Sequence, residues 1–166
     1  FRIHGNVRHR VTGQVVEDER VTSLIDAFFA SDTAILDPVP GAASALADLA
    51  RDATIVILSN LPATAREARA RNLASHGMAY PVIAGSGPKG PVVQPLVAGM
   101  RAPVVFIDDL PPHHASVADV VPHVHRLHFV ADQRLARLIG PSPHAHARLD
   151  TWPEAAAWIR QATQAG

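Results

Sequence analysis

Val104-Val105-Phe106-Ile107-Asp108-Asp109 decides how this chain is read. Four apolar residues, mostly β-branched or aromatic, run into two adjacent carboxylates and then Leu110-Pro111-Pro112. A short continuous apolar run closed by turn residues suits a strand buried on both faces, as in a parallel sheet. In such sheets ligands sit beyond the carboxyl ends of the strands, where Asp108 and Asp109 fall. Neighbouring carboxylates repel each other, so a buried pair needs a cation or another positive charge beside it. Oxygen ligands of this kind suit Mg²⁺. The competing reading is an Asp that caps the following helix.

Working outward, the same strand-then-turn pattern recurs. Ile55-Val56-Ile57-Leu58 is a second buried-strand candidate and ends in Ser59-Asn60. Residues 80–84 read as a shorter third strand, leading into Gly85-Ser86-Gly87-Pro88-Lys89-Gly90. Further strands are expected near 124–130 and 147–149. Between them the spacing predicts helices: one from Pro62 to about His76, stopped by Gly77, and one opened by Pro91 with Val93, Leu96, Val97 and Met100 inward. Others are expected over 113–121, over 132–139, and from a Thr151/Glu154 capping box to the end, carrying Trp152 and Trp158. Pro38-Val39-Pro40-Gly41 opens a short helix with Ala42, Ala45, Leu46 and Leu49 on one side. Ahead of it, Val21, Leu24, Ile25, Phe28 and Phe29 make the apolar stripe of an amphipathic helix over 17–31, which core packing explains.

Strands alternating with helices imply βαβ units and a parallel sheet covered on both faces. The right-handed crossover rule then brings Ser59, Lys89 and Asp108 to one edge. A hydroxyl with backbone donors, a fixed positive charge and metal-binding oxygens are what phosphoryl transfer requires. The nucleophile, normally a further carboxylate, is missing from this set.

Together, a hydrophobic strand then Ser59-Asn60, Lys89 ahead of a helix, and a hydrophobic strand then Asp108-Asp109 resemble motifs II, III and IV of the haloacid dehalogenase-like (HAD) superfamily. The resemblance covers about residues 36 to 130. It implies a Rossmann-like α/β fold and a Mg²⁺-dependent phosphohydrolase acting on a small phosphorylated molecule through an aspartyl-phosphate. By the same resemblance Ser59 and Asn60 bind the phosphoryl group, Lys89 stabilises it with the attacking carboxylate, and Asp108 and Asp109 hold Mg²⁺. The departure is motif I, Asp-x-Asp on the central strand between those of motifs II and IV. No Asp-x-Asp occurs in this chain. Asp37 lies near a short apolar run, but Pro38-Val39-Pro40 gives it the chemistry of a turn. Two hydrophobic strands would then face each other with unpaired edges. The expectation is an N-terminally shortened copy: residues 1–34 a cap or linker remnant, 35–166 the HAD-like core, and motif I upstream of Phe1. The alternative is a catalytically inactive binding or assembly module on the same fold.

Bulk properties narrow the choice. The 166 residues have zero formal net charge with histidines neutral and are 48% hydrophobic, so no basic stripe recommends nucleic acid. No apolar run approaches a membrane span, no cysteine allows a disulfide, and a cytoplasmic setting is expected. A receiver domain would place its acidic pair first in the chain, not last. The 85–90 loop lacks the Gly-Lys-Ser/Thr ending of a P-loop. Of the ten histidines, His123/His125 and His144/His146 have paired spacing but no clear third metal ligand. His113 and His114 follow the acidic pair by one turn, near enough to touch a substrate or a water beside the metal.

Overall fold

The computed structural model describes residues 3–164, so the first two residues of the N-terminal segment lie outside it. Seven helices and five strands are described: α1 (Asp18–Ser31), α2 (Ala42–Leu49), β1 (Ile57–Asn60), α3 (Arg66–Ser75), β2 (Val82–Gly85), α4 (Gly90–Val97), β3 (Val105–Asp108), α5 (Pro111–Val120), β4 (His125–Phe129), α6 (Gln133–Ala136), β5 (Ala147–Leu149) and α7 (Trp152–Gln164). A 3₁₀ turn, Ala63–Ala65, leads into α3. All strand pairs are parallel, which makes this an α/β protein of Rossmann-like class. Among the described residues no helix is long and apolar enough to cross a membrane.

The strands form two separate sheets, β1-β2 and β3-β4-β5. What joins them is helix packing. Leu58 of β1 packs on the same apolar cluster as Phe106 of β3, and Val93, Val97 and Val117 of α4 and α5 complete it. On the opposite face, Val105 and Ile107 pack with Leu127, Phe129 and the α7 residues Ala155 and Ile159. Successive β3 residues thus go to opposite helix layers, as a pleated strand between two layers requires. β2 packs with Ala42, Leu46 and Leu73 of α2 and α3.

The break between β1 and β3 leaves edges open. The Ile57 N–H goes to Pro81 O, next to β2, and the His125 N–H to Val104 O, next to β3. Alternate residues of a parallel ladder turn their N–H and C=O to opposite sides, so Leu58 on β1 and Val105 and Ile107 on β3 turn theirs into the break. Every residue of β1 is only half-buried, unusual for a strand this apolar.

Several expectations need correction. Leu96 and Met100 do not point inward; they are 38% and 58% exposed. α4 contains Pro95, which cannot donate the helical hydrogen bond, and the chain turns extended at Ala98, so Met100 lies beyond the helix. The α1 stripe exists but barely enters the core. Only Val21 of the helix is buried, while Leu24 and Phe28 are 48% and 42% exposed, because the stripe faces Ile3 and Val7 of the N-terminal segment across an open apolar groove. The helix expected over 132–139 is one turn, capped by the Asp132 carboxylate on the Arg134 and Leu135 N–H groups. At the last helix, the Thr151 hydroxyl bonds the Glu154 carboxylate directly at 2.6 Å.

Candidate functional site

Three loops at the carboxyl ends of β1, β2 and β3 make the site. Lys89 stands at the entrance of α4, followed by Gly90, whose N–H donates to Ser116 Oγ at 2.9 Å. That contact sets α4 close against α5 and turns the Lys89 side chain inward. Its ammonium donates to Asp108 Oδ2 at 2.5 Å and to Leu58 O at 3.1 Å. One cation therefore ties the last residue of β3 to the open edge of β1. Both partners are nearly enclosed, with side chains 11% and 3% exposed.

Asp108 ends β3, and its other oxygen, Oδ1, accepts the Leu110 N–H at 2.8 Å. This short turn aims the chain into α5, where Pro111 and Pro112 occupy positions that need no N–H donor. Asp109 is exposed beside it. Its carboxyl is raised above the ordinary 3.8, first by loss of hydration and then by the charge of Asp108; a backbone hydrogen bond, Lys89 and His113 act the other way. Ser59 and Asn60 end β1 in register with Ala84 and Gly85. Asn60 Nδ2 donates to Gly87 O at 3.0 Å and lies 3.4 Å from His113 Nε2. Asn60 thus fastens the loop after β2, and His113 brings α5 to its side.

Ser59, Asn60, Lys89, Asp108 and Asp109 are accordingly drawn together at one rim. His123 and His125 with His144 and His146 are elsewhere: His125 and His146 stack edge to face at 5.7 Å, and His146 Nδ1 accepts the Arg126 N–H. Among the described residues no group of three or more His, Asp or Glu could hold a metal ion. Three contributors were not read from the sequence. The Leu58 carbonyl and Gly87 carbonyl are backbone groups and leave no signal in residue type. His128, whose ring bonds the Asp109 carbonyl, falls in the expected 124–130 strand, but its residue type does not show which distant backbone group it reaches.

No family model, curated protein or solved structure matches the chain.

Two predictions arise from these charges. Asp109→Asn removes a carboxylate that pays to be ionised beside Asp108, so the variant is expected to raise the thermal midpoint at neutral pH while weakening any cation binding. An unchanged or lower midpoint would contradict it. The imidazoles of His113, His114, His128 and His146 are all held below the ordinary 6.5, burial being the leading cause in each. The unfolded chain takes up protons near 6.5 while the folded chain resists. Their contribution to stability is thus complete above that pH and is lost as pH falls through it toward the depressed folded values. Thermal melts from about pH 7.5 down to about 5.5 should show falling midpoints; a flat profile would count against buried neutral rings.

Proposed function

We propose that this chain is the larger part of a Mg²⁺-dependent HAD-type phosphohydrolase core acting on a small phosphorylated molecule. In the intact protein an aspartyl-phosphate would form on a carboxylate carried by a strand lying between β1 and β3. The observation that supports this most is the Lys89 ammonium, shared between Asp108 Oδ2 and Leu58 O across the break in the sheet. A phosphoryl group held there would meet the Ser59 hydroxyl on one side and the Lys89 charge on the other. An ammonium has three N–H donors, and two are engaged, which leaves one for a phosphoryl oxygen.

The donors present fit Mg²⁺ in part. Asp109 offers an exposed carboxylate, and Asp108 retains lone pairs beyond its bonds to Lys89 and Leu110. One or two carboxylates suffice for an ion that keeps several waters and takes the rest of its ligands from phosphate. When bound, Mg²⁺ would neutralise charge on the phosphoryl oxygens. The remaining work belongs to this chain's residues. Ser59 donates its hydroxyl to the phosphoryl group, Asn60 keeps the 85–90 loop closed over it, and Lys89 holds its charge where negative charge builds up.

A second reading, an inactive binding or assembly module, is favoured by one feature: both Asp108 oxygens already have protein partners. The two readings part in a phosphatase assay with a chromogenic phosphate ester and Mg²⁺. Residues 1–166 alone are expected to show negligible turnover. The same chain given an N-terminal strand of apolar residues closing in Asp-x-Asp is expected to gain Mg²⁺-dependent hydrolysis. Turnover by residues 1–166 alone would overturn the missing-nucleophile reading, and silence of a folded, extended chain would favour the binding module.

A further inference from the structure

Behind the acidic pair lie two histidines that face neither the proposed phosphoryl position nor solvent. His114, on α5, and His128, on β4, are both fully buried. Their rings meet edge to face at 5.3 Å, and Phe106 packs on His114 at 5.5 Å. His114 Nε2 lies 3.0 Å from Asp108 O, and His128 Nε2 lies 3.0 Å from Asp109 O. Consecutive backbone carbonyls of the acidic pair are therefore each held by a different imidazole, from a different element.

The partners settle the tautomers. A carbonyl only accepts, so Nε2 must carry the proton on both rings. His128 Nδ1 accepts the N–H of buried Ser142 at 3.1 Å, which requires a bare nitrogen there. His114 Nδ1 is buried without a hydrogen-bond partner, as the bare nitrogen of a neutral ring packed among apolar groups. Asp108 and His128 are register partners on neighbouring strands, so one imidazole spans from the sheet to the turn that leaves it. Through Ser142 the same ring also fixes the loop ahead of β5.

We propose that His114 and His128 are positioning residues: by donating Nε2–H to the carbonyls of Asp108 and Asp109, they lock the turn after β3 in the one orientation that presents both carboxylates at the rim. A peptide carbonyl turned outward would change the backbone dihedral of the aspartate that bears it and so displace that residue's carboxylate, and among the described residues His128 is the side chain that bonds the Asp109 carbonyl. Groups that orient ligating residues in this way are commonly worth about 10–100-fold in metal affinity. The consequence for Mg²⁺ rests on the phosphohydrolase reading; the anchoring of the two carbonyls does not.

The test compares His114→Leu and His128→Leu, which remove the donor, with His114→Gln and His128→Gln, which can restore an N–H. The first readout needs no metal: the side-chain carboxylate ¹³C resonances of Asp108 and Asp109 at neutral pH. The leucine variants are expected to shift them, His128→Leu moving Asp109 most, and the glutamine variants to return them toward the wild-type positions. Leucine variants that lower the thermal midpoint but leave the carboxylate resonances in place would overturn the proposal, since a purely structural role predicts that. Should a leucine variant not fold, long-range ¹H–¹⁵N spectra of the wild-type rings decide. Nε2–H on both supports the anchoring, and Nδ1–H on either overturns it. The second readout is Mg²⁺ affinity, expected to fall about 10–100-fold in folded leucine variants. A wild-type chain indifferent to Mg²⁺, with carboxylates displaced in the leucine variants, would sink the phosphohydrolase reading and leave the positioning role supported.

Discussion

Lys89→Met is expected to cost about 3–5 kcal/mol of folding stability, because it strands a buried carboxylate. Asp108 has a side chain 3% exposed, and Lys89 is the cation that meets it. Leu110 N–H and ordinary polarity remain, but these do not replace a full charge at 2.5 Å. The same substitution also frees Leu58 O, loosening the tie between the two sheets. For a chain of this size the loss corresponds to a fall in thermal midpoint on the order of 10 °C. Removing both charges separates pairing from burial. Lys89→Met with Asp108→Leu is expected to recover most of the loss, since a buried ion pair and an apolar pair of similar volume are often near equal in stability. Denaturant unfolding of the two single variants and the double variant checks this. A Lys89→Met loss under about 1 kcal/mol would place the pair in the class of solvent-screened surface bridges and contradict the burial.

Gly90→Ala is expected to be as damaging for a different reason. A Cβ at Gly90 would stand 2.1 Å from Ser116 O and 2.7 Å from Ser116 C, both backbone atoms of α5. No rotamer change relieves a clash with backbone, so α4 and α5 must separate. That opens the cluster of Val93, Val97 and Val117 beneath them and moves Lys89, the preceding residue, off Asp108. A cost of about 3 kcal/mol or more is expected, with weakened cation binding in whatever remains folded. Ser116→Ala is the control: it loses the Gly90 N–H bond, worth about 1 kcal/mol, yet leaves the close approach intact. A Gly90→Ala variant as stable as Ser116→Ala would mean that the helices have slack that the packing does not show.

How much of this could be read from residues alone depended on how local the cause was. The apolar runs before Asn60, Gly85 and Asp108 marked β1, β2 and β3, and Ala147–Leu149 emerged as a strand of the expected length. Those strands are specified by short-range composition and turn chemistry. The meeting of Lys89 with Asp108 was also accessible, because parallel topology forces successive strand ends to one rim. Burial of Leu96 and Met100 was misjudged because periodicity counts residues without knowing where a helix stops, and here Pro95 and the extended Ala98 stop it early. The α1 stripe misled in the opposite way. Amphipathicity says that a face seeks apolar company, not that the core supplies it. The roles of His114, His128 and the Leu58 carbonyl were out of reach, since each depends on where a distant backbone group lands.

Whether a hydroxyl, an ammonium and two carboxylates at this rim jointly receive a phosphoryl group and Mg²⁺, as proposed, can be read from a single titration. Amide and side-chain NMR signals of the isotope-labelled chain are followed as Mg²⁺ and inorganic phosphate are added, each alone and then together. Changes are expected to concentrate at Ser59, Asn60, Lys89, Asp108 and Asp109 and to be larger with both additions than with the sum of each alone. Signals at these five residues that stay fixed in the presence of both, or that respond no more than those of the distant His123 and His144, would contradict it.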